Sequence, residues 1–114
     1  MKPPTFAPIY MGLYPVLCEK ARSMGYALAV HGTGSRDLDL VACPWTEQAT
    51  DPWELCKALM GALGIALGDS CDGAGRPLAR GLHQAHGRIT WIIPLGCEAV
   101  LDLSVMPRAQ KRTP

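Results

Sequence analysis

Residues 26–43 read YALAVHGTGSRDLDLVAC, and this stretch decides the fold of the chain. Its first part, Tyr26–His31, and its last part, Leu38–Cys43, have the apolar content and the alternation that are typical of β-strands. The short segment between them is rich in glycine, which favours a tight turn. We therefore predict a β-hairpin in which these two segments pair.

Two helices are predicted to flank this hairpin in sequence. Before it, apolar residues recur at three- and four-residue steps over 8–24, although Pro15 favours a regular helix that begins near Tyr14. After it, Asp51 can cap the start of a helix whose apolar face continues to Gly68. Each apolar face predicts packing against a sheet.

The C-terminal half supplies a second pair of strands. Ile89–Leu95 and Ala99–Val105 have strand character around a turn, whereas residues 69–87 are polar and glycine-rich and predict an irregular loop. The element order is then helix, strand, strand, helix, strand, strand. This order predicts an α/β (α+β) fold, with a mixed or antiparallel sheet of about four strands in two hairpins and two main helices packed on one face.

Composition is that of a globular protein. The 114 residues predict one domain over 1–114, with an extended lead-in at 1–7 and a basic, flexible tail at 107–114. Apolar residues make up 48% of the chain and charged residues 18%, which excludes a disordered chain. The net charge of +1 gives no indication of a nucleic-acid partner.

Two further features bear on location. No apolar run has the length of roughly 18–20 residues that a membrane span requires, so we expect no membrane partner. The five cysteines are odd in number and scattered, without a C-x-x-C pair. This usage is typical of reduced thiols and predicts a cytoplasmic protein.

Three aspartates form the candidate chemical site. Asp37 and Asp39 share one face of a strand because side chains alternate there, and Asp102 lies within a second, otherwise apolar strand. If the two strands are neighbours, three carboxylates converge, and such oxygen ligands suit Mg²⁺ or Mn²⁺. The alternative is that the Asp-x-Asp pattern is solvated charge beside a turn, although a strand-central Asp102 requires a partner or water.

Residues 31–40, HGTGSRDLDL, resemble the signature of the nucleotidyltransferase superfamily. That signature is a glycine–serine turn after one strand, an Asp-x-Asp pattern on the next strand and a third aspartate on a later strand. The chain is also similar to small bacteriophage proteins with stretches like those at 25–28, 36–40 and 102–108. The resemblance covers about 14–108 and implies a nucleotidyltransferase-like fold. If the chain is encoded by a phage, the resemblance also implies that the protein is located in the host cytoplasm.

The resemblance also implies roles for particular residues. The metal-binding and catalytic residues that it implies are Asp37, Asp39 and Asp102, with Asp102 activating the attacking hydroxyl. The residues that would face the phosphates of a nucleotide are Gly32 with Thr33, or Gly34 with Ser35.

Two arginines and a histidine are additional candidates. Arg36 either contacts phosphate or neutralises the acidic pair, and Arg88 flanks a strand from which it can clamp a phosphate. His31 either orients a carboxylate or phosphate or has a structural role.

Two functions are consistent with this pattern. The first is a minimal nucleotidyltransferase-like protein that binds a metal–nucleoside triphosphate and transfers a nucleotidyl group to an unknown acceptor. The second is a catalytically inactive phage accessory or antitoxin-like protein that engages a host or partner protein. The retained aspartates favour the first function, whereas the short turn between Gly32 and Asp37 favours the second.

Overall fold

The computed structural model describes residues 7–32, 34, 36–64, 81–96 and 99–108. These residues form two α-helices and a five-stranded mixed sheet, so the α+β class is confirmed. The helices are α1 (Ala7–Ser23) and α2 (Pro52–Ala62). The strands are β1 (Tyr26–His31), β2 (Asp37–Pro44), β3 (Leu82–His83), β4 (Ile89–Gly96) and β5 (Ala99–Val105).

The sheet has the order β1-β2-β5-β4-β3. Both predicted hairpins are confirmed, because β1 pairs with β2 and β4 pairs with β5 in antiparallel fashion. The two hairpins join through β2 and β5, which run parallel to each other. The strand that carries the Asp-x-Asp pattern therefore lies directly beside the strand that carries Asp102.

The prediction of four strands was one strand short. Leu82–His83 pairs with Ile89–Thr90, and a short 3₁₀ turn at Ala85–Gly87 separates the two segments. The sequence pattern predicts an irregular loop over the whole of 69–87. A two-residue strand with both side chains exposed shows no alternation, and this is why the pattern did not predict it. The part of that loop at 69–80 lies outside the described residues.

The prediction for the start of α1 was also wrong. The helix begins at Ala7 and contains Pro15 in its interior. Pro15 cannot donate to the carbonyl of Met11, but both residues are exposed, so water can reach that carbonyl. The buried side chains Tyr10 and Leu17 hold the helix to the core on either side of the proline.

Helix α2 begins as predicted and ends early. Asp51 is the N-cap, and its side chain accepts a hydrogen bond from the Trp53 amide at 3.0 Å. The helix ends at Ala62, not Gly68, and Gly64 adopts a left-handed φ of 77°. Glycine adopts this conformation readily, so it ends helices effectively.

One face of the sheet is buried and the other is open. On β2 the side chains of Leu38, Leu40 and Ala42 are buried, whereas Asp37 and Cys43 on the other face are exposed. The buried face packs against α1 and α2, and Trp53 of α2 lies 6.2 Å from Trp91 of β4 between ring centroids. The helices thus cover one face only, as predicted, and the aspartates lie on the open face. Neither helix in the described ranges has the length and apolar content to cross a membrane.

Candidate functional site

The register of β2 and β5 brings the predicted aspartates together on the open face. Asp39 and Asp102 are direct partners across the parallel pair, on strands that lie about 4.8 Å apart. Asp37 lies two residues before Asp39 on the same face and is the partner of Val100. Asp39 and Asp102 are half-buried, and Asp37 is exposed.

Asp39 and Asp102 line a cleft of about 370 Å³ on this face. The other residues of the cleft wall come from β1, β2, β4, β5 and the segment after β3, and Asp37 is not among them. They are His31, Leu40, Val41, Gln84, Arg88, Thr90 and Ser104. The cleft therefore has an acidic part between β2 and β5 and a polar part toward β4.

The carboxylates of the cleft repel one another. Burial raises the pKa of Asp102 above its usual value, and the charges of Asp39 and then Asp37 raise it further, while Arg88 lowers it. Within the described part of the chain, no hydrogen bond or ion pair satisfies any of the three carboxylates. Protonation of Asp102 or a bound cation would relieve this repulsion.

Arg88 lies on the wall of the cleft, as its predicted role requires. It is half-buried, and its Nε atom is buried with no hydrogen-bond partner. Its charge lowers the pKa of Asp102, yet no ion pair joins the two side chains in the described region. Arg36, by contrast, is exposed on the hairpin turn and does not line the cleft.

The glycine-rich turn passes beside Asp39. Gly32 has a φ of 76°, and a Cβ atom there would lie 3.2 Å from the Asp39 Oδ2 atom. Gly34 is also left-handed, with a φ of 67°. Both positions thus favour glycine. Thr33 and Ser35 lie outside the described residues, so the phosphate-facing role of this turn stays a prediction.

The aspartates do not form a complete metal site by themselves. Among the residues that the structure describes, no three His, Cys, Asp or Glu side chains are grouped so as to hold a metal ion. Mg²⁺ is commonly held by one or two carboxylates together with the phosphates of a substrate, and not by an all-protein cage. The adjacent pair Asp39 and Asp102 fits this mode of binding.

Sequence reasoning missed several residues near the site. Gln84 directly follows the unpredicted strand β3 and lines the cleft. The hydroxyl groups of Thr90 and Ser104 share a hydrogen bond of 3.2 Å. The single polar position of Thr90 among apolar neighbours is the signal that could have found it. The contacts of buried Tyr10 with the backbone next to the aspartates had no sequence signal.

Comparison with protein-family models, curated proteins and solved structures finds no match for this chain. The fold and the cleft define it as a small α+β domain whose open sheet face carries an acidic cleft.

Proposed function

We propose that the protein binds a nucleoside triphosphate with Mg²⁺ or Mn²⁺ in the acidic cleft and transfers a nucleotidyl group to a hydroxyl acceptor. The observation that carries this proposal is the direct pairing of Asp39 with Asp102 across β2 and β5. Two half-buried carboxylates that form no ion pair with any described residue favour a metal ion that arrives with its own anionic ligand.

Asp102 is the proposed base. It lies beside Asp39 on the wall of the cleft, where it can take a proton from a hydroxyl next to the bound nucleotide. In the proposed reaction the acceptor hydroxyl oxygen forms a bond to the α-phosphorus, and the bond from that phosphorus to pyrophosphate breaks. Asp102 takes the hydroxyl proton, while Asp37 and Asp39 contribute negative charge that attracts the metal. The bound metal supplies compensation of the negative charge on the phosphates.

Arg88 and the glycine-rich turn are proposed to contact the phosphates. The guanidinium of Arg88 lies on the cleft wall and is not engaged in an ion pair within the described ranges. It is therefore available to donate hydrogen bonds to phosphate oxygens. In the glycine-rich turn, the left-handed backbone at Gly32 can direct N–H groups toward an anion.

Thermal unfolding with Mn²⁺ and each nucleoside triphosphate tests the proposal. A ligand at 100 times its Kd stabilises the folded state by about 2.7 kcal/mol, which raises the Tm by several degrees. We expect this shift in the unmutated protein and not in the double variant Asp39→Asn/Asp102→Asn. Asp51→Asn is the matched control, because it removes one carboxylate far from the cleft and retains a residue that can cap α2. An equal shift in all three proteins would contradict the proposed site.

A second candidate function is binding of a protein partner without catalysis. The absence of a three-ligand group among the described side chains favours it, as does the short turn between Gly32 and Asp37. This function corresponds to the phage accessory or antitoxin-like class. It predicts a folded protein whose Tm does not change with any nucleotide or metal.

A further inference from the structure

Tyr10 connects helix α1 to the two strands that carry the aspartates. The side chain of Tyr10 is fully buried under the sheet. Its hydroxyl donates a hydrogen bond to the Arg36 carbonyl at 2.5 Å and accepts one from the Val100 amide at 3.2 Å. One hydroxyl thus bridges the backbones of β2 and β5.

The bridge lies at the end of the parallel pair, next to the cleft. Arg36 directly precedes Asp37, and Val100 is the register partner of Asp37 on β5. The partners Asp39 and Asp102 follow two residues later on each strand. Both of these hydrogen bonds join the Tyr10 hydroxyl to backbone atoms, so through them Tyr10 can influence the aspartates by way of the backbone.

The position of the bridge matters because the parallel pairing of β2 with β5 begins there, at the partners Asp37 and Val100. Upstream of Asp37 the chain enters the glycine-rich turn, and upstream of Ala99 it enters the turn from β4. The first paired residues of two strands separate most easily, because paired residues follow them in one direction along the strands only. A hydroxyl that is hydrogen-bonded to both strands at this end opposes their separation.

We propose that Tyr10 is a positioning residue that fixes the spacing of Asp37 and Asp39 relative to Asp102. This inference rests on the proposed function for its effect on ligand binding, but its effect on the strands is independent of that function. Removal of the hydroxyl leaves the buried ring in place and lets the ends of β2 and β5 separate. Loss of groups that orient metal ligands typically weakens metal binding by 10- to 100-fold.

The test compares Tyr10→Phe with Tyr26→Phe. Tyr26 is a matched control because it is also fully buried and donates its hydroxyl to a backbone carbonyl, that of Thr50, at 2.6 Å. Thr50 lies between β2 and α2, away from the aspartates. Tyr26→Phe therefore loses one buried hydrogen bond to a backbone carbonyl, and Tyr10→Phe loses such a bond together with the one that it accepts from Val100.

The first readout is hydrogen exchange of the metal-free protein, followed by NMR at the amides of 38–40 and 101–103, the next paired residues of β2 and β5. The Val100 amide itself loses its acceptor in Tyr10→Phe, so separation of the strands is read at the neighbouring amides and in the carboxyl ¹³C shifts of Asp39 and Asp102. We expect faster exchange at these neighbouring amides and changed shifts in Tyr10→Phe, and neither change in Tyr26→Phe. Unchanged exchange and unchanged shifts in Tyr10→Phe would overturn the inference, whether or not the protein binds a nucleotide.

The second readout is the Kd for Mn²⁺ with ATP, GTP, CTP and UTP, each in turn. We expect Tyr10→Phe to weaken binding about tenfold and Tyr26→Phe to change it less than twofold. Equal weakening in both variants, or none in Tyr10→Phe while the unmutated protein binds, would overturn the positioning role. If the unmutated protein binds none of these ligands, the proposed function fails, and the exchange readout alone decides the inference.

Discussion

At the residue scale, the half-buried carboxyl group of Asp102 has a raised pKa because burial and the charges of Asp39 and Asp37 disfavour its ionised form. The folded state therefore binds a proton at this position more readily than the unfolded chain. Stability from this group is fully present below the unfolded pKa of about 3.9 and is lost as the pH rises through the folded pKa.

Replacement of Asp102 by asparagine should therefore stabilise the metal-free protein at pH 7. We expect a gain of a few tenths of a kcal/mol to about 1 kcal/mol, after allowance for the screening of a half-buried group by solvent. The gain should disappear near pH 3, where Asp102 is neutral in both states. Urea unfolding of the two proteins at both pH values checks this, and a gain of equal size at both would contradict the electrostatic cause.

Gly32 gives a second prediction at this scale. Gly32→Ala places a Cβ atom at a left-handed position and 3.2 Å from Asp39 Oδ2, so we expect a loss of about 1–2 kcal/mol in stability. Gly12→Ala is the control, because Gly12 lies within α1 with no atom near a new Cβ. That change should stabilise the protein by about 0.5–1 kcal/mol. Urea unfolding measures both, and a Gly32→Ala variant as stable as the unmutated protein would contradict the assigned backbone conformation.

At the scale of elements, α1 contains an interior proline that weakens it. Pro15→Ala restores a backbone N–H that can donate to the Met11 carbonyl on the exposed side of the helix. We expect the free energy of unfolding to rise by about 1–3 kcal/mol, as measured by urea unfolding. A loss of stability would show instead that the packing of Tyr10 and Leu17 depends on the proline.

The sequence predicted most elements because their signals are local. The bounds of β1 and β5 agree with the predicted ones, since alternation and flanking turns mark them. The two-residue strand β3 was missed, because it is defined only by its pairing with Ile89–Thr90. The early start of α1 was missed, since burial of Tyr10 outweighs the penalty of Pro15.

The site was predicted less completely than the elements. Strand alternation was enough to group Asp37 with Asp39, and the polar position of Asp102 in an otherwise apolar strand made it a candidate neighbour if the two strands lay side by side. The parallel pairing of β2 with β5 is a long-range contact that no local pattern encodes. Gln84 and Tyr10 reach the site or its backbone through tertiary packing, so no periodic pattern in the sequence marks them.

At the scale of the whole molecule, a single core joins both helices to the sheet, and Cys56 lies inside it. The Cys56 side chain is fully buried, and burial raises its pKa to about 12. Cys43, in contrast, is exposed on the open face of the sheet. The two thiols therefore report separately on the core and on the surface.

Alkylation by iodoacetamide at pH 8 should modify Cys43 in the native protein and leave Cys56 unmodified until the core unfolds. The reason is that the thiolate reacts, and Cys56 is neither ionised nor accessible in the folded state. Mass spectrometry after cleavage behind Glu47 separates the two cysteines. Equal rates at both sites in the absence of urea would contradict a single packed core.

The central claim is that the cleft beside Asp39 and Asp102 holds a metal–nucleotide complex. NMR line broadening by Mn²⁺, recorded with and without each nucleoside triphosphate, tests it most directly, because the paramagnetic ion broadens the amide signals nearest to it. The account predicts nucleotide-dependent broadening centred on Asp39 and Asp102 that spares Gly61 on α2, and its loss in Asp39→Asn/Asp102→Asn. Broadening centred elsewhere, or none with any nucleotide in a folded protein, would contradict it.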